Sequence, residues 1–289
     1  MQQNNNSNDV NINKINPEDN ILNRAVKKIQ KSLSSLDGSQ NFKELRKFSK
    51  KVVGVYGTVG GIGVSSFIKE LSVLFSKNYK VLVIDGNFLL PNQIINHLSN
   101  TNTSINSLTN LLEEDVKEEQ INNIFKKSFL STNINYCNQE PVSLLNYIKF
   151  EEDFKSYNTL TLILEKYKTL FDVIIIDLCP NLLLTGLEQA LLKSCDYLIQ
   201  LYNNSVASKY NKLILEESIA LTSKANIKTL AIHNKVKEKP TQFLYLPYEP
   251  KFYEIYNDAK SFLISGKSNN NLYIHKFKDI YTILVKDLY

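Results

Sequence analysis

Cysteine is scarce in this chain of 289 residues, which has only Cys137, Cys179 and Cys195. Their spacing fits no metal-ligand pattern, and an odd count does not pair off into a disulfide framework. The reading left is a protein of a reducing cytoplasm. Long apolar runs are also missing. No stretch reaches the roughly 18 residues of a membrane-crossing helix. The opening residues, Met-Gln-Gln-Asn-Asn-Asn, lack the charged and apolar regions of a secretion signal. Nor is there a large surplus of one charge: 34 basic residues against 29 acidic ones leave +5. So mild an excess does not call for DNA, although it would not oppose an anionic surface.

What is present suits a globular protein. Hydrophobic residues make up 43% and charged residues 22%, enough for a sizeable core in one large α/β domain or one domain with an appendage. Residues 1–20 are rich in asparagine without apolar periodicity and read as a disordered tail. Residues 21–49 read as a basic amphipathic helical extension. Ile21, Leu22, Ala25, Val26, Ile29, Leu33 and Leu36 follow helical spacing beside Arg24, Lys27, Lys28 and Lys31. Such a helix either docks on the core as a solvated element or serves as an adaptor for a membrane surface or partner.

Glycine is rare too, with nine in the chain, yet Gly57, Gly60, Gly61 and Gly63 fall within seven residues. They follow an apolar run, Val52, Val53, Val55 and Tyr56, and precede Ser65-Ser66, which opens the amphipathic segment Phe67–Phe75. A strand, a glycine turn and a helix N-terminus together make a phosphate cradle, with backbone amides and the helix dipole facing the anion. A working cradle reads G-x-x-x-x-G-K-[ST], and its lysine reaches the phosphates. Here Ser65 stands at the magnesium-binding hydroxyl and Val64 at the lysine. Valine replaces a charge-assisted bond with a desolvation cost.

Two further runs carry carboxylates to strand ends. Lys80–Asp85 is a continuous apolar strand followed by Gly86-Asn87, and Phe171–Pro180 contains Val173-Ile-Ile-Ile-Asp177. Ligands bind at the carboxyl edge of such sheets. Downstream, Asn133–Cys137 reads as a strand in which Cys137 packs. Glu151–Leu170 and Leu182–Lys193 read as helices, and Cys195–Tyr202 as a strand. Ser205–Ser223 reads as a helix capped by Ser205, and Ile227–His233 as a strand that places His233 at its end. The closing stretch Leu272–Tyr289 has an apolar face and is expected to pack on the core rather than meet a membrane.

The set resembles the deviant phosphate-loop family of MinD, ParA and the pilus-positioning proteins CpaE and TadZ. Its motif is K-G-G-V-G-K-[ST]-[ST], against Val59-Gly60-Gly61-Ile62-Gly63-Val64-Ser65-Ser66 here. Phe243–Pro250, with Leu-Pro-Tyr-Glu-Pro, resembles the family's I-P-Y-D-P turn, and Glu249–Ile264 its next helix. This pattern points to CpaE, TadZ and the flagellar-number relative of MinD. The resemblance spans about residues 50–289. It implies an α/β, doubly wound, mainly parallel sheet of about seven strands flanked by helices.

For the site, the resemblance implies phosphate contacts from Gly60, Gly61, Gly63, Ser65 and Ser66, and magnesium held by Ser65, Asp85 and Asp177. It also implies base contact from Asn234. Both family lysines are valines, Val59 and Val64, and Asn87 replaces the second acid of V-I-D-x-D. Asn181 replaces a glycine of a moving loop. Asparagine cannot act as a general base. The expectation is a catalytically degenerate pseudo-ATPase: a cytoplasmic homodimer, in which ATP or ADP with Mg binds weakly or not at all. It would act as a positioning or scaffold factor with protein partners at a surface apparatus or pole, where peripheral membrane contact is open to it. The alternatives are an active ATP-dependent switch and a relative of bacterial tyrosine kinases. Against the kinase, Tyr273, Tyr281 and Tyr289 are spaced like a helix face rather than a clustered tail.

Overall fold

The computed structural model describes residues 50–91, 107–113, 120–121, 124–137, 139–152, 154–178, 186–222, 227–237, 244–250, 261–265 and 271–288. By its contacts the chain divides into units 1–47 and 48–289, and every described residue lies in the second. The expected tail, the basic extension and Asn181 fall outside the described residues.

The central strands are the continuous β-branched runs. These are β1 (Lys51–Gly57), β2 (Val81–Asp85) and β5 (Val173–Asp177), and apart from Lys51 every residue of the three is buried. Around them lie β4 (Ile134–Cys137), β6 (Tyr197–Tyr202), β7 (Lys228–Val236), β8 (Tyr245–Pro247) and the short β3 (Phe125–Lys127). The sheet has eight strands in the order β3-β4-β2-β5-β1-β6-β7-β8. All neighbours are parallel except β3, which runs antiparallel to β4 at the edge. The eighth strand beyond the expected seven is β3. Its Phe-Lys-Lys sequence carries almost no strand signal and is held by pairing with β4.

Successive strand residues point to opposite faces, so β1 feeds two cores. Val52 and Tyr56 pack with α4 (Phe154–Leu170) and α5 (Gly186–Ser194) through Leu160, Ile163, Leu187 and Leu191. Val53 and Val55 pack on the other face with α1 (Val64–Phe75) and α8 (Leu272–Leu288). Helix α8 buries Tyr273, Ile274, Phe277, Ile280, Leu284 and Leu288. Each such side chain contributes about 1.5–3 kcal/mol when taken out of water. The Phe277 ring lies 5.0 Å from Phe67, and Tyr281 lies 5.0 Å from Phe75. This stretch therefore packs on the sheet as expected.

Elsewhere boundaries move. Of the expected helix 151–170, residues 154–170 form α4, residues 151 and 152 end a further helix, α3 (Leu144–Glu152), and residue 153 lies outside the described residues. Tyr248 and Glu249 are not helical, residues 251–260 lie outside the described set, and α7 covers only Phe262–Ser265. The long α6 (Val206–Thr222) forms where expected, and a small helix, α2 (Leu108–Glu113), precedes β3. Ser205 Oγ accepts the Ser208 amide at 3.1 Å, so Ser205 caps α6.

Candidate phosphate-binding site

β1 delivers the glycine turn to the carboxyl edge of the sheet, and α1 begins at Val64 with Gly63 as its N-cap. Gly61 has φ +68° and Gly63 φ +107°, conformations that a side chain strongly disfavours. Gly63 O accepts the Phe67 amide at 2.9 Å and starts the helix. The base of the turn is tied to α6. Thr58 and Ser208 share a hydroxyl–hydroxyl bond, and Asn211 Nδ2 donates to Thr58 O at 2.8 Å. Counted back from Gly63, the first glycine of G-x-x-x-x-G falls on Thr58 rather than Gly57. The bonds from α6 fix this position. The sequence reading passed over Thr58, although the count alone could have found it.

The turn frames a cleft of about 140 Å³. Gly57, Val59, Gly60, Gly61, Ile62, Val64, Ser65, Asn87, Asp177 and Leu178 line it. The lining contains one carboxylate and no cationic side chain. Val64 lies over Gly57, where an added Cβ would come within 2.9 Å of Val64 Cγ2. A cleft of this size suits phosphate groups, not a whole nucleotide, for which sites of about 300–1,000 Å³ are usual.

Asp85 and Asp177 are register partners on adjacent strands, and Ser65 Oγ donates to Asp177 Oδ2 at 2.9 Å. Asp85 is fully buried and its Oδ1 accepts the Asn87 amide at 2.9 Å. Hydroxyl and carboxylate oxygens are the donors that Mg²⁺ takes. Ser65 and Asp177, which line the cleft, therefore fit that ion, which would offset the negative lining and draw phosphate oxygens toward the cleft; Asp85 sits behind them, fully buried and outside the lining. Beneath them the Tyr136 hydroxyl is held neutral. Burial raises its pKa, the charge of Asp85 adds to this, and Cys137 and Asp177 contribute. Burial also pushes the Cys137 thiol up to about 12, so this cysteine packs as an inert thiol.

Asn87 lines the cleft, but its Oδ1 accepts the Leu90 amide at 3.1 Å and closes a local turn. Ser66 follows Ser65 in the first turn of α1. Asn234 lies near the end of β7 and its side chain reaches the glycine turn, with Nδ2 donating to Ile62 O at 2.8 Å. Lys235 also reaches the turn, through a bond from Nζ to Gly61 O. Asn234 is expected at a base and Lys235 is not among the expected site residues, because its left-handed backbone has no local sequence signal. His233 is buried and stacks on Tyr202 at 5.1 Å. Among the described residues no group of three His, Cys, Asp or Glu side chains could hold a metal ion.

Residues 50–233, which carry the turn, Ser65, Asp85 and Asp177, match the family described as an AAA domain. The chain belongs to that family. Among curated proteins none matches. The AAA-domain fold seen here is shared with solved structures at low identity. A ParA family ATPase from Chlorobium tepidum is 15% identical with a TM-score of 0.66, covering 82% of this chain and all of the other. A single-residue variant of Cyanothece McdA, in complex with ATP, is 16% identical with a TM-score of 0.66, covering 83% and 96%. The septum site-determining protein MinD of Pyrococcus horikoshii, complexed with Mg-ADP, is 17% identical with a TM-score of 0.62, covering 81% and 96%. The fold is thus that of the ParA and MinD phosphate-loop proteins.

Proposed function

We propose that this protein is a MinD/ParA-like positioning or scaffold factor that binds ATP or ADP with Mg weakly and turns it over at or near the background rate. The observation that carries this reading is the cleft lining. Val59, Val64 and Asn87 occupy the positions that charge or an acid fills in the resembled family, and among the described residues no cation lines the cleft in their place. A lost charge-stabilising group costs about 3–4 kcal/mol of transition-state stabilisation. A lost general base costs ~10²–10⁴-fold in rate. The protein acts in the cytoplasm for a bacterial surface apparatus or cell pole. The CpaE/TadZ-like stretch 243–250 supports a pilus setting. No helix among the described residues is long and apolar enough to cross a membrane.

The working unit is a homodimer that forms without nucleotide. Val59 is half-buried beside exposed Gly60 and Gly61, and the Lys235 ammonium at this face is held by Gly61 O. Beside it α6 exposes Val206, Tyr210 and Leu213, spaced four and three residues apart on one helix face. The Thr58–Ser208 and Asn211–Thr58 bonds tie the opposite, inward face of α6 to the glycine turn and leave this stripe turned outward. Phosphate release by the purified protein with ATP and Mg tests the reading, and no release above background is expected. Steady turnover that Asp177→Ala abolishes would overturn it. A live ATP-dependent switch is the second reading, and the Ser65–Asp177 bond beside Asp85 favours it.

A further inference from the structure

Lys235 is the one non-glycine residue with positive φ, +58°, among the described residues. Such a conformation is uncommon for a side chain without special support. Here the support is Asn234, whose Oδ1 accepts the Lys235 amide at 2.9 Å. The same Asn234 side chain donates from Nδ2 to Ile62 O at 2.8 Å, and Lys235 Nζ donates to Gly61 O. Both side chains lie against Gly63. A Cβ there would sit 3.2 Å from Asn234 Nδ2 and 3.7 Å from Lys235 Cε. Two consecutive carbonyls of the glycine turn are therefore drawn toward the end of β7.

Peptide planarity converts this into a statement about donors. In a trans peptide the C=O and N–H point in opposite directions, and no peptide bond here is cis. The Gly61 carbonyl shares its plane with the Ile62 amide, and the Ile62 carbonyl shares its plane with the Gly63 amide. Pulling both carbonyls toward β7 turns both amides away from it. Gly61 and Ile62 line the cleft, as does Val64 on the other side of Gly63, whereas Asn234 and Lys235 do not. Successive amides turned one way in a glycine-rich loop make an anion nest.

We infer that Asn234 and Lys235 are positioning residues that preset the Ile62 and Gly63 amides for the oxygens of a diphosphate. This rests on the reading that the cleft takes phosphate. It explains how a loop without lysine keeps an anion site: donors fixed beforehand lose little freedom when the ligand arrives. It also reassigns Asn234. One amide proton and the side-chain oxygen are already used inside the protein, so its main duty is to the turn and not to a base.

Titration calorimetry of the full chain with pyrophosphate and with ADP, each with Mg, tests this. Asn234→Ala is expected to weaken both ligands by the same factor, about tenfold, the effect of losing one ordering hydrogen bond. Lys235→Met should weaken both severalfold, and Lys235→Arg, which keeps a donor, should restore binding. Unchanged thermal unfolding in Lys235→Met would separate positioning from folding. In wild-type protein pyrophosphate should shift the Ile62 and Gly63 amide resonances, and less so in Asn234→Ala. Loss of ADP binding with pyrophosphate binding intact in Asn234→Ala would make Asn234 a base contact and overturn the inference alone. Unchanged pyrophosphate binding in both Asn234→Ala and Lys235→Met would do the same. Wild-type protein that binds neither ligand overturns the phosphate reading and this inference with it.

Discussion

Replacing Gly63 with alanine puts a side chain on a residue at φ +107°, with its Cβ 3.2 Å from Asn234 Nδ2. The left-handed backbone alone costs roughly 1–2 kcal/mol, and the tight contact adds to it because Asn234 is anchored to Ile62. Against this, alanine narrows the unfolded ensemble and returns about 0.4–1 kcal/mol. The expected net loss is about 1–2 kcal/mol. Two neighbours calibrate the number. Gly61 has φ +68° with open space around its Cβ position, so alanine should cost about 0.5–1 kcal/mol from the backbone alone. Gly60 has open space and no positive φ, so alanine there should be neutral or slightly stabilising. Urea denaturation of the three variants, with m unchanged, reads the differences directly. Equal midpoints for Gly60→Ala and Gly63→Ala would refute the loop conformation on which the site depends.

Other outcomes follow from single contacts. Glu70 is fully buried and accepts bonds from Ser261 Oγ at 2.7 Å, Phe262 N at 2.8 Å and Leu263 N at 3.0 Å. Glu70→Ala leaves these donors unpaired and should cost about 2–4 kcal/mol, seen as a lower Tm, whereas a Tm within a degree of wild type would show that the 261–263 segment is held by other contacts. Val64→Lys places an ammonium in the cleft and should strengthen ADP binding in calorimetry without raising phosphate release, because Asn87 still offers no base. Turnover appearing in that variant alone would assign the defect to one residue.

The three central strands are legible because they need no partner to be recognised. Val173-Ile-Ile-Ile-Asp177 is buried on both faces and reads as such. The carboxylates at Asp85 and Asp177 come with those strands, and Ser65 comes with the turn, so this part of the site was legible too. What escaped depends on tertiary contact. Lys126 and Lys127 form a strand only because β4 offers an edge. Asn234 could be named but not assigned, since its bond to Ile62 spans 172 residues of sequence. Lys235 escaped for the same reason.

Assembly of this scaffold should not wait for nucleotide, and sedimentation of the nucleotide-free protein decides it. The apolar Val59 at the turn and the α6 stripe predict a dimer at micromolar concentration, unchanged by ATP. Val59→Glu or Leu213→Glu should dissociate it by burying an unpaired carboxylate. A monomer that dimerises only when ATP and Mg are added would contradict the claim.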